Sequence, residues 1–372
     1  FKKNNINHDD IFYNAKKIIF IDENYNKIEH IINSESFLLN NKMIQNLLKE
    51  EIFLLMLQKS RIRDKFLEKL LTRIRKEIII SLENSQSNIL KEYFDFIISF
   101  AAQSFLNEYV FFQSDEELNY IANLEKKIIN KNKIDELEIS ILGCYIPLYK
   151  SKNISNNLLN YTSKNFLFND MIEMQIKEPL KEKKISNSIK SLKKISDEVS
   201  KKVRDQYEEN PYPRWRFTNK YESLNFLLKL NNDIEPNKIE FNDKFFNPKV
   251  LIAGCGTGKQ VAKVTSYQNA SILALDLSIN SLSYAKRKID EIGYKGLEFL
   301  QGDILHLKSL NKKFDVIECV GVLHHMNEPL AGLKVLVDLL EPHGFLKLGL
   351  YSEISRKHII ALREFIKKKS FS

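Results

Sequence analysis

The chain has little cysteine, tryptophan, proline or glycine: 3, 1, 8 and 11 residues in 372. Three widely separated cysteines make neither a disulfide framework nor a CxxC metal pair, which excludes a stapled secreted scaffold and a zinc ribbon. That usage suits a reducing cytoplasm, and a cytoplasmic location is expected. No apolar run approaches the ~20 residues needed to span a membrane, so no membrane partner is expected. No secretory signal peptide is visible, and the chain opens on Phe1 without an initiator methionine. A repeat of ~34 residues with tetratricopeptide spacing is also missing.

What is present is ordinary for a globular protein: 43% hydrophobic and 28% charged residues, with room for two or three domains. The formal charge of +9 is spread over stretches at 61–76, 181–202 and 363–369. Each is interleaved with acids, and no basic stripe with stacking aromatics emerges, so RNA is the less favoured partner. Residues 1–34 read as a polar, Asn-rich segment. Residues 35–175 read as an α-helical domain. Met43, Ile44, Leu47, Leu48, Ile52 and Phe53 recur at helical spacing, as do Phe66, Leu67, Leu70, Leu71, Ile74 and Ile78. Further helices are expected around 93–101 and over 137–149. A lysine-rich helical connector follows at 176–206, with surface loops at 231–237 and 242–244. Residues 207–372 form the last domain.

That domain opens on chemistry. Residues 250–258 read Val-Leu-Ile-Ala-Gly-Cys-Gly-Thr-Gly: a short buried strand and a turn of alternating glycines. Such a turn brings bare backbone close to a ligand, because no Cβ stands in the way. Dinucleotide folds place a third glycine after two intervening residues; here Gly258 comes one residue too early and Lys259 holds that place. A second strand at 271–275 ends in Asp276, followed by Leu277. Asp276 stands about 20 residues after the turn, where an acid binds ribose hydroxyls. A third strand at 297–300 leads to Gly302-Asp-Ile304. There the Asp303 carboxylate can accept from an adenine amine while Ile304 packs on the ring. A fourth strand, 314–320, carries Glu318 and Cys319 and leads to His324 and His325. A fifth follows the turn Glu341-Pro-His-Gly344, at 345–350.

This series resembles the class I S-adenosylmethionine-dependent methyltransferases. The resemblance implies an α/β fold, a doubly wound and mainly parallel sheet, with S-adenosylmethionine as cofactor. It also implies that Gly254, Cys255, Gly256, Thr257 and Gly258 hold the methionine end. Asp276 and Leu277 would take the ribose, Asp303 and Ile304 the adenine, and Cys319 the cofactor side of the fourth strand. The run Val203-Arg-Asp-Gln-Tyr-Glu-Glu-Asn-Pro-Tyr-Pro-Arg-Trp215 resembles the junction in bacterial tetratricopeptide-linked methyltransferases. So do the runs at 66–75, 104–111 and 349–353. Against that family the repeats are absent. The last strands also look missing, so the chain reads as a fragment.

Several residues carry two readings. Asp276 and Asp303 are also good helix caps. Cys255 and Cys319 read as buried thiols before nucleophiles. His324 is the first candidate general base, since histidine titrates near neutrality, with Glu318 or Tyr207 as replacements. His325, Tyr207 and Tyr212 are candidates for the acceptor side. Tyr207, Tyr212 and Trp215 either form a lid or staple the linker down. The expected function is methyl transfer to an N, O or C acceptor, on a protein, a peptide or a small molecule. A helical interaction scaffold with an inactive cofactor domain is the alternative from another class. An NAD enzyme is disfavoured by Lys259 and Asp303.

Overall fold

The computed structural model describes residues 1–131, 133–240 and 245–369. They fall into two compact units: residues 1–183 with 213–220, and residues 184–212 with 221–372. The loop expected at 242–244 lies outside the described residues.

The first unit is helical. Its core gathers the apolar stripes of Glu51–Lys59, Lys65–Glu83, Phe94–Leu106 and Glu136–Gly143, with Phe53, Leu70, Ile74, Phe96 and Ile141 fully buried. The apolar run 43–53 divides into Lys42–Leu47 and Glu51–Lys59. Asp64 and Asn41 cap their helices through side-chain oxygens, and Ser114 with Glu117 makes a reciprocal capping box. The polar N-terminal segment is folded too. Helices Phe12–Ile19 and Asp22–Asn33 put Phe12, Phe20, Ile28 and Ile32 into the same core. Its apolar residues are few but fall on one helical face, which is enough to bury them. The helix expected over 137–149 stops at Gly143, before Pro147.

Gln175 shows how a buried polar side chain is tied in here. Gln175, in a π-helical turn at Glu173–Lys177, donates to the carbonyls of Ala101 and Gly143 at 2.8 and 3.1 Å. It accepts from the Tyr109 hydroxyl at 3.1 Å. The segment 213–220 also belongs here. Trp215 is buried, Arg214 pairs with Glu108, and Arg216 holds Asp170 through two bonds of 2.6 and 2.9 Å.

The second unit carries a six-stranded parallel sheet: β1 (Lys190–Ser191), β2 (Lys249–Ala253), β3 (Ser271–Asp276), β4 (Leu297–Gln301), β5 (Phe314–Val320) and β6 (Leu340–Gly349). Their order is β1-β4-β3-β2-β5-β6. Strands buried on both faces read as continuous apolar runs, as Val250 to Ala253 and Ile272 to Leu275 do. The chain leaves β2 toward β3 on one side and reaches β5 on the other. The strand order therefore reverses between β2 and β5, and such a switch point opens a crevice at the carboxyl ends.

Three elements differ from the sequence expectation. The connector is two helices, Glu178–Ser186 and Glu198–Glu209, with edge strand β1 between them. The loop expected at 231–237 starts as the end of helix Phe226–Asp233. The turn expected at 341–344 is a bulge inside β6: Phe314 pairs with Leu340 and Val316 with Phe345, so four residues of β6 loop out of register.

Candidate functional site

The carboxyl ends of β2, β3 and β4 bring the glycine turn and both acids together. Gly254 and Cys255 donate to the carbonyl of Leu275 at 2.8 and 2.9 Å, which fastens the turn to β3. Gly254 has φ +80°, and a Cβ there would stand 2.3 Å from Cγ2 of Val322, so the turn packs directly on the loop after β5. Gly256 has φ +51°, but a Cβ there would meet nothing within 4 Å. The side of the turn facing open space is therefore bare backbone. Gly258 caps the helix Lys259–Val264, and Thr257 is buried between them.

Asp276 ends β3. One of its carboxylate oxygens accepts from Gly256 N–H at 2.8 Å and the other from Ser278 N–H at 3.0 Å. The Leu277 N–H also faces this carboxylate, so backbone donors hold it from three sides. Burial pushes the carboxyl above the usual aspartate range, and the charge of Glu208 adds to this. The N–H groups of Ser278, Gly256 and Leu277 pull the other way. The carbonyl of Leu277 accepts from the Gln301 amide at 3.1 Å.

Asp303 is 2% exposed. Its Oδ1 accepts from Leu305 N–H at 2.9 Å and caps the turn Ile304–Leu310, while its buried Oδ2 has no partner. A buried carboxylate oxygen without a donor is costly, and such a group calls for an explanation. It has the chemistry to accept from an amine. Ile304 is buried in the sheet's core cluster, so its side chain is committed to packing as well.

The elements around these acids were less legible. The helix Glu198–Glu209 ends against the start of helix Ile279–Ile292. The Glu208 carboxylate accepts from the N–H groups of Ile279 and Asn280 at 2.7 and 3.2 Å, and the Ser278 hydroxyl donates to the carbonyl of Tyr207 at 3.1 Å. This brings Tyr207 close to Asp276. Burial raises the Tyr207 phenol above its ordinary value, and neighbouring Tyr351, Asp276 and Tyr212 raise it further. Tyr207 is thus a neutral donor at physiological pH. Sequence reasoning missed Glu208, Tyr351 and Arg356. The first adjoins Tyr207 in the junction run, and the second lies in the run at 349–353. No sequence signal marks the third.

His324 lies in the turn Leu323–His325 after β5. Its ring stacks on Tyr351 at 3.7 Å between centroids, tilted 30°, and meets His325 at 4.3 Å. Neither ring nitrogen has a hydrogen-bond partner. Burial lowers the imidazole below its ordinary value, as do the charges of His325 and Arg356. His325 is lowered too, by burial and then by Arg356 and Arg363.

Two sequence candidates are placed elsewhere. Glu318 is buried and held by the Tyr267 hydroxyl and the Gln260 amide, both at 2.6 Å, which makes it the less available base beside the unpartnered His324. Cys319 is in the core, and burial pushes its thiol up to about 12, so its side chain is a neutral packing group. Burial likewise raises Cys255 well above the ordinary thiol range. Among the described residues, no cluster of potential metal ligands exists, and no helix is long and apolar enough to cross a membrane.

Residues 250–344 match the family model described as a methyltransferase domain. A Synechococcus sp. protein of uncharacterized function is 36% identical over 121 residues, covering 32% of this chain and 29% of that one. A ubiquinone biosynthesis O-methyltransferase of Yersinia pestis is 30% identical over 140 residues, 37% of this chain and 52% of the relative. The solved structure of PKMT2 from Rickettsia typhi in complex with AdoHcy is 27% identical, with a TM-score of 0.30, covering 32% of this chain and 24% of that one. The chain spans about half the length of the Yersinia relative and under a third of the Synechococcus one. The second unit thus carries a class I methyltransferase domain, of the type that uses S-adenosylmethionine. The comparisons do not connect it with tetratricopeptide repeats.

Proposed function

We propose that this protein transfers a methyl group to a hydroxyl acceptor held beside His324. The observation that carries the reading is the pair of acids at adjacent strand ends. Asp276 sits beside the glycine turn with its carboxylate held by backbone N–H groups, and Asp303 has one unpartnered buried oxygen. These residues fit the cofactor of the class. Asp276 would hold its ribose hydroxyls, Asp303 its adenine amine, and the bare backbone at 254–258 its methionine end. Leu277 and Tyr207 would border that site.

S-adenosylmethionine supplies a methyl group already activated for transfer. The chain's own task is then to orient the acceptor and to remove its proton. The Yersinia relative is named an O-methyltransferase, which favours oxygen as the acceptor atom. A hydroxyl is protonated at neutral pH, so it needs a base. His324 is suited to this because its lowered pKa leaves the imidazole neutral and able to take a proton. Tyr207, Tyr212 and His325 would face the acceptor.

Calorimetric titration with S-adenosylmethionine tests the cofactor half. Wild type binds, Asp276→Ala abolishes binding, and Asp303→Asn weakens it strongly. Unchanged affinity in Asp276→Ala would remove the ribose assignment. Labelled methyl transfer to small hydroxyl compounds of a host lysate tests the acceptor half. Label appearing on protein alone would make the hydroxyl that of a polypeptide, and label on amines alone would remove the hydroxyl assignment.

A further inference from the structure

We propose that Arg356 anchors an oxyanion, a carboxylate or a phosphate, on the methyl acceptor; this deepens the methyl-transfer reading and rests on it. The evidence is a three-layer stack after β6. The Arg356 guanidinium lies 3.7 Å from the centroid of Tyr351, and the ring of His324 lies 3.7 Å from the same centroid. Two planar groups at that distance cannot share one face of a six-membered ring, so they take opposite faces. Tyr351 therefore fixes the candidate base on one side and a cation on the other.

The cation is half-buried, and among the described residues no carboxylate pairs with it. Its main-chain N–H donates to the carbonyl of Glu353 at 3.1 Å, and among the described residues its guanidinium makes no hydrogen bond. Stacking occupies the face of a guanidinium and leaves its N–H edge, which matches the two oxygens of a carboxylate or phosphate. The charges that shift these rings are cationic: Arg356 on both, His325 on His324, and Arg363 on His325. An ammonium acceptor would meet repulsion on this side, and an anionic one would be attracted. Placing the acceptor's anion one ring thickness beyond Tyr351 would set its hydroxyl toward His324. The same arrangement would reject neutral analogues, because they would leave the half-buried guanidinium without a counter-charge.

The test is calorimetric titration of the full chain, with and without saturating S-adenosylhomocysteine, at fixed ionic strength. The probes are benzoate, phenyl phosphate and their neutral isostere benzamide. Benzoate or phenyl phosphate should bind, the tighter one naming the anion, and benzamide should bind roughly tenfold or more weakly. Arg356→Met should lose the anion by a similar factor while keeping wild-type affinity for S-adenosylhomocysteine, which also reports that it folds. Arg356→Lys, which keeps the charge without the fork, should fall between. Equal binding of benzamide, anion binding unchanged in Arg356→Met, or no anion binding by wild type would overturn the proposal. Failure of wild type to bind S-adenosylhomocysteine would instead sink the methyl-transfer reading. The titrations without the nucleoside would still report on Arg356.

Discussion

Glu208 closes the N-terminus of the helix that begins at Ile279. Its carboxylate accepts from Ile279 N–H at 2.7 Å, three residues after the acid Asp276. A carboxylate at that place satisfies otherwise unpaired N–H groups and lies at the favourable end of the helix dipole. The cap comes from a separate helix, so it also fastens Tyr207 beside Asp276. One contact therefore serves both stability and the form of the proposed cofactor site.

Glu208→Ala should destabilise the second unit by ~1 kcal/mol, about the worth of a lost capping hydrogen bond, with the N-cap Ser278 left in place. It should also weaken S-adenosylmethionine binding several-fold, because Tyr207 is no longer held. Thermal melting and calorimetry on the same sample check both. A lowered melting temperature with unchanged affinity would show that Tyr207 takes no part in the site.

The glycines of the turn should separate in the same two measurements. Gly254→Ala forces a Cβ to within 2.3 Å of Cγ2 of Val322 at φ +80°, so it should destabilise the fold by about 2–3 kcal/mol. Combining it with Val322→Ala should recover part of the loss, since the clashing methyls are gone. Gly256→Ala meets no protein atom, so it should cost only about 1 kcal/mol of backbone strain. Its methyl would stand in the open space beside Asp276, and cofactor affinity should fall far more than stability. Equal losses of affinity and stability at both positions would mean that Gly256 does not face the cofactor.

How much of this was legible follows from where each signal resides. The strands β2, β3 and β5 are buried on both faces, and a continuous apolar run is visible without knowing its neighbours. Asp276 and Asp303 were visible because strand ends carry function in parallel sheets. Edge strand β1 was not, because its two residues, Lys190 and Ser191, are exposed and carry no apolar pattern. The place of 213–220 in the helical unit was hidden too, since Arg214 and Arg216 find partners more than forty residues away in sequence. Glu318 misled for a related reason. A carboxylate in an apolar strand looks functional until its two donors, Tyr267 and Gln260, are known.

Tyr267→Phe tests that correction. It removes one of the two donors to buried Glu318, and an orphaned buried carboxylate costs about 1–3 kcal/mol. Denaturant unfolding should record that loss while turnover and cofactor affinity stay within twofold of wild type. Adding Glu318→Gln should recover some stability, because a neutral amide is cheaper to bury than a charge. A large fall in turnover with little loss of stability would return Glu318 to the list of candidate bases.

The pH dependence of turnover decides the role of His324. Burial first, then the charges of His325 and Arg356, lower its pKa below the ordinary 6.5. The neutral imidazole is the form that accepts a proton. Turnover should therefore be flat around neutrality and fall as the pH drops through that lowered value, with its acid limb below pH 6.5. Arg356→Met removes one of the lowering charges, so the limb should move up toward 6.5. His324→Ala should abolish the limb and slow turnover by ~10²–10⁴, the usual worth of a general base, with cofactor affinity intact. Stability has the same sign. A histidine whose pKa is lowered by folding binds its proton more readily when unfolded, so it destabilises the fold progressively as the pH falls from 6.5 through the folded value. If the acid limb survives in His324→Ala, another group takes the proton, and Tyr207 is the next to substitute.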